Sequence, residues 1–114
     1  MTGLAPNAMT DAATLEVPLE PVPAAQVLHG APESGWTALT DTVGVWVHTP
    51  GVSTDVEEDE LFVVLAGRAT VTFPDVDAAP LDLGPGSVGR LAAGTATVWT
   101  VTETLRKVYV SGGG

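Results

Sequence analysis

The chain has 114 residues, 45% of them hydrophobic, with 13 glycines, 9 prolines, no cysteine and a formal charge of -10. That length suits one domain with one core, and the proline and glycine content disfavours long helices. The acidic balance repels phosphate backbones and anionic lipid, so neither nucleic acid nor a membrane is an expected partner.

Without cysteine there is no disulfide, no thiolate metal site and no cysteine nucleophile. Residues 1–14 are small and polar and read as a flexible leader or arm. They lack the basic-then-apolar pattern of a signal peptide, and no apolar run approaches the length of a membrane span, so a cytoplasmic location is expected. Residues 15–27 alternate loosely but carry Pro18, Pro21 and Pro23, which remove backbone donors and fit an edge strand or an extended arm. Residues 32–35 read as a turn.

Residues 36–49 hold strand material. Val43, Val45 and Val47 share one parity, Trp46 and His48 the other. Thr49-Pro50-Gly51 is a turn, and a short strand follows over 52–56. The segment 59–73, DELFVVLAGRATVTF, organises the rest. Its apolar halves, 61–65 and 69–73, are expected to be two strands joined by a tight turn at Gly67. After a polar loop and a short strand at 81–83 comes Gly84-Pro85-Gly86, a turn, then a strand over 87–91, a turn at 92–94, and strands over 95–101 and 105–110. Residues 111–114 read as a flexible tail. Turns every 8–12 residues predict an all-β barrel or sandwich with protected edges, one domain over 15–110, and a dimer.

The spacing at this point resembles the cupins. Glu60 and Gly67 keep the final six-residue interval of the first cupin motif, and Gly86 and Gly94 fall on the two glycines of the second. The pieces TPG, DELFVVLAGRATVTF, LGPG, AAGTATVWTV and LRKVYV are similar to a short subgroup that includes cupins of ethanolamine use and ureidoglycine breakdown. The resemblance implies a jelly-roll β-barrel (a double-stranded β-helix). It also locates the metal ligands of the family, two histidines, a glutamate and a third histidine. Here the first pair falls at Ser53 and Asp55, or at Thr54 and Val56 with the shorter spacer, and the third histidine position holds Thr97. Only Glu60 remains, so no cofactor and no tightly held transition metal is expected.

Glu60, at the start of an apolar strand, is the candidate catalytic acid or base, because a desolvated carboxyl has a raised pKa. Candidate ligand-binding residues are Asp55, Thr97, Trp99, Trp46, Arg90, Tyr109 and His48. Trp99 shares parity with Thr97 and offers an apolar wall with one N–H donor. Arg90 facing the pocket would favour a carboxylate-bearing ligand, and on the surface it would pair with an acid. Glu57, Glu58 and Asp59 read as a solvated acidic run, and Arg106-Lys107 as a basic pair that blunts an edge or partners nearby acids. No phosphate loop, nucleophile elbow or HExxH motif occurs. The expected function is binding of a small polar or carboxylated metabolite. The alternatives are an enzyme of the ureidoglycine-related or sugar-isomerising kind working through Glu60, and a non-catalytic structural or interaction protein with a filled barrel.

Overall fold

The computed structural model describes residues 3–112; the last two residues of the expected tail and the first two of the leader lie outside them. Nine strands are present in the described residues: β1 Glu20–Pro21, β2 Val27–His29, β3 Glu33–Ala38, β4 Val43–His48, β5 Gly51–Val56, β6 Glu60–Thr72, β7 Leu81–Leu83, β8 Val88–Leu91 and β9 Ala96–Ser111. A single 3-10 turn, Ala24–Gln26, interrupts the first two. The all-β jelly-roll expected from the sequence is the fold.

Two strands are longer than the sequence predicts. The turn expected at Gly67 is a bulge inside β6, and the break expected after Val101 lies inside β9. The pair runs antiparallel from Glu60 opposite Ser111 to Thr72 opposite Val98, with register shifts between Val64 and Ala69. Both halves of β6 bond to β9, so neither folds back on the other. Gly67 has φ +92°, and a Cβ there would run into the carbonyl of Thr104. The bulge also switches the inward parity of β6. Phe62 and Val64 face the core before it, Ala69 and Val71 after it.

The bent pair makes two leaves from one sheet. The first half of β6 carries β8 on one side and the second half of β9 on the other, followed by β4, β3 and β1. The second half of β6 carries β7 on one side and the first half of β9 on the other, followed by β5 and β2. The core between the leaves is Phe62, Val64, Ala69, Val71, Leu83, Leu91, Trp99, Val101 and Leu105.

Two further expectations need correction at this level. Residues 33–35 start β3 instead of forming a turn, because Ser34 and Gly35 pair with His48 and Val47. The Pro-rich stretch 15–27 supplies edge-strand residues as expected: Glu20 and Pro21 pair with Ser34 and Glu33, and Val27 opens β2 against Ser53. Arg106 does not blunt an edge. Its guanidinium donates to the carbonyls of Ala12 (3.0 Å) and Leu15 (2.9 Å), tying the first residues to the outside of β9. No helix among the described residues is long and apolar enough to cross a membrane.

Candidate functional site

One mouth of the barrel holds a cavity of about 130 Å³. Trp46 and His48 reach it from β4, Ser53, Thr54 and Asp55 from β5, Glu60 from β6, and Trp99 and Lys107 from β9. Glu57, just past β5, also lines it, and Val22 and Gln26 cover it from the N-terminal side. The alternation of β-strands assembles this set. Ser53 pairs with Trp99 and Asp55 with Thr97, so all four side chains share one face.

Lys107 is the centre of the site. It is 3% exposed, and its ammonium lies 2.5 Å from Glu60 Oε2. It also stands 4.6 to 4.7 Å from the ring centroids of Trp46, Phe62 and Trp99. Lys107 partners an acid, one of the two roles expected of the Arg106-Lys107 pair, but its place inside the cavity is not among the expectations. The alternation of Leu105, Lys107 and Tyr109 against Arg106 and Val108 carries the signal, since neighbours on a strand face opposite sides.

Glu57 was missed in the same way, inside a run of charge. It is buried, and its Oε2 accepts from the Thr97 hydroxyl at 2.6 Å and the Trp99 indole N–H at 3.0 Å. Backbone bonds from Glu57 N–H to Thr95 and from Gly94 N–H to Glu57 fix its position. Glu58, two residues before Glu60, is exposed as the sequence reading has it.

His48 is buried, with both ring nitrogens engaged. Nδ1 lies 2.6 Å from the Thr49 carbonyl and Nε2 2.8 Å from Ser53 Oγ. A carbonyl can only accept, so Nδ1 donates and the neutral ring accepts the Ser53 hydroxyl at Nε2. Burial pushes the His48 pKa below its ordinary value, with the Lys107 charge adding to it and the Thr49 carbonyl opposing. Asp55 stands at the exposed rim, one oxygen accepting from the Val56 N–H at 2.8 Å. Its pKa is raised by partial burial and then by the Glu57 charge.

Of the other predicted residues, Thr97 is fully buried beneath the wall, its hydroxyl held by Glu57. Tyr109 follows Lys107 on the same face and packs on the core, its ring filling the space beside Gly44 where a Cβ would collide with it. Burial, then the charge of Glu60, raises the Tyr109 pKa. Arg90 is exposed on β8 opposite Leu61, also exposed, and is not among the residues that line the cavity. The structure therefore brings together Trp46, His48, Asp55, Glu60 and Trp99 around the cavity, sets Thr97 behind them, and leaves Arg90 outside.

The metal implied by the resemblance does not fit these donors. The ligand positions hold Ser53, Asp55, Glu60 and Thr97. Glu60 is paired with Lys107, and no three His, Cys, Asp or Glu side chains among the described residues are arranged to hold an ion.

Comparison with known proteins agrees with this geometry at the level of fold. A protein of unknown function from Pseudomonas syringae pv. tomato aligns over 92% of the chain with a TM-score of 0.74 at 20% identity, and the chain spans 47% of that protein's length. The EutQ protein of Clostridium difficile aligns over 70% of the chain and 68% of its own, with a TM-score of 0.60 at 15% identity. A cupin superfamily protein from Desulfitobacterium hafniense covers 96% of this chain and 94% of its own, with a TM-score of 0.57 at 21% identity. No curated protein matches the sequence. The family model of the EutQ-like cupin domain matches residues 38–109, from the end of β3 to the Tyr109 that follows the buried lysine, and the chain belongs to that family.

Proposed function

We propose that the barrel mouth binds a small polar molecule, uncharged or amine-bearing, without a tightly held transition metal. The observation that carries this reading is the polar cavity itself, walled by Trp46 and Trp99 and edged by Ser53, Thr54, Asp55 and Gln26. Its volume of about 130 Å³ is well under the roughly 300 Å³ at which drug-sized sites begin, so the occupant has only a few non-hydrogen atoms. Two tryptophan rings supply apolar contact, and the hydroxyls and carboxyls fix orientation.

Between the two ligand classes left open by the sequence, the charge balance favours the uncharged or amine-bearing one. Asp55, Glu57 and Glu60 line the cavity against one ammonium, that of Lys107, which Glu60 already holds. A ligand carboxylate would meet an excess of like charge, while hydroxyl and amino groups find acceptors. A filled barrel describes the aliphatic core but not this end. For an acid–base role, the rim carboxyl of Asp55 is better placed than Glu60, because its raised pKa favours carrying a proton and, among the described residues, the cation of the cavity is paired with Glu60.

The test is ligand identification by mass spectrometry of gently purified protein, followed by titration with small polyols, amines and carboxylates read by tryptophan fluorescence. Saturable binding of a neutral or amine-bearing member, abolished by the cavity-filling Ser53→Phe, supports the reading. Binding of carboxylates alone, or none in the whole panel, overturns it.

A further inference from the structure

The chain has only four Lys and Arg residues, and Lys107 alone among them is buried. Nothing in packing asks for a charge there, since an apolar side chain of the same length would fill the space between Trp46, Phe62 and Trp99. What surrounds the ammonium is specific to a cation. Three ring faces lie 4.6 to 4.7 Å from Nζ, and the Glu60 carboxylate closes the fourth side at 2.5 Å. Ring faces and a carboxylate together form an aromatic cage of the kind that recognises ammonium groups. Glu60 is also the one ligand position where the cupin resemblance still finds its expected residue.

We propose that Lys107 is an internal cation: its ammonium takes the place of a metal ion on Glu60, and the cage of Trp46, Phe62 and Trp99 is an ammonium site occupied by the protein's own side chain. The fold thus keeps a positive charge at the base of its mouth, covalently tethered and not exchangeable. A molecule entering the cavity meets that charge already neutralised by Glu60, so its binding is independent of added metal. The inference uses the cavity of the proposed function but not its occupant. Ligand binding could fail while the internal cation stands, and the reverse.

Two measurements test it. In the first, the unaltered chain is incubated with Zn²⁺, Mn²⁺ or Ni²⁺, passed through a desalting column and assayed by elemental analysis. Sub-stoichiometric metal in every case is expected, and stoichiometric retention of any one overturns the proposal. In the second, Lys107→Ala empties the cage and is melted with increasing n-propylammonium, which replaces the lost atoms. The variant is expected to melt below the parent and to regain Tm saturably with propylammonium but not with equal n-propanol or sodium chloride. The parent should not respond. No gain, or an equal gain with propanol, overturns the proposal. The metal measurement uses the natural chain and decides alone if Lys107→Ala does not fold.

Discussion

Between the same two strands, β6 and β9, the barrel is filled in two different ways. Around Val64, Val71, Val101 and Leu105 it is closed by aliphatic side chains, each 3% exposed or less. Around Glu57, Glu60 and Lys107 it is lined by charges with polar partners, Glu60 on Lys107 and Glu57 on Thr97 and Trp99, with a cavity left over. The apolar region draws stability from area removed from water, a non-directional gain. In the polar region desolvation offsets much of the attraction, so its net contribution is small and its geometry is what it supplies. Stability and binding are therefore separable by substitution, even though the residues alternate along shared strands.

The largest effect is expected in the apolar region. Leu105→Ala, at a fully buried site, should lose about 2–5 kcal/mol in urea melts and leave ligand titrations near their parent values. A loss under about 1 kcal/mol would mean that the aliphatic region is not the stabilising one. Thr97→Val should cost less, about 1–3 kcal/mol, by removing a donor from the buried Glu57 carboxylate while keeping the side-chain shape. An unchanged stability would break the distinction between area and satisfied polar groups.

The polar region should announce itself through pH. His48 has a depressed pKa when folded, so burying its neutral ring contributes stability that is complete above the unfolded value of 6.5. That contribution is lost as pH falls from there through the folded value, and His48→Gln should flatten this acid limb. Asp55 behaves oppositely. Its folded pKa lies above the ordinary 3.8, so the folded state keeps a proton that the unfolded state has released. Stability falls as pH rises through that window, and Asp55→Asn should remove the fall and leave a more stable protein at neutral pH. Urea midpoints measured across pH 3 to 8 would separate the two limbs. The smallest effect belongs to neither region. Glu103→Gln breaks an ion pair with Arg68 at 3.8 Å with both side chains about two-thirds exposed, and should change stability by less than about 1 kcal/mol.

Much of the fold was legible because strand parity and turn residues are local signals. The alternation of Ala69, Val71 and Phe73 and the glycines at 86 and 94 each point to the right element. Gly67 misled because a positive φ serves a turn and a bulge equally well, and the choice was made by pairing with β9, far away in the chain. Five of the twelve residues lining the cavity were visible: Glu60, Trp99, Trp46, His48 and Asp55. Lys107 and Glu57 were not, because each sits among other charges. Burial of one member of such a run is decided by parity across a sheet, against the average behaviour of charged side chains. For Arg90 the strand was identified and both faces were open; the sheet sets it on the outer one, away from the cavity.

The character of the mouth turns on where the Lys107 ammonium lies. A crystal structure of the natural chain, with diffraction recorded above the absorption edges of manganese, nickel and zinc, would locate that nitrogen and any metal together. The result predicted is Nζ on the Glu60 carboxylate among three aromatic rings, with no anomalous peak in the mouth. An anomalous peak on Glu60, with the lysine turned away from it, would contradict the account.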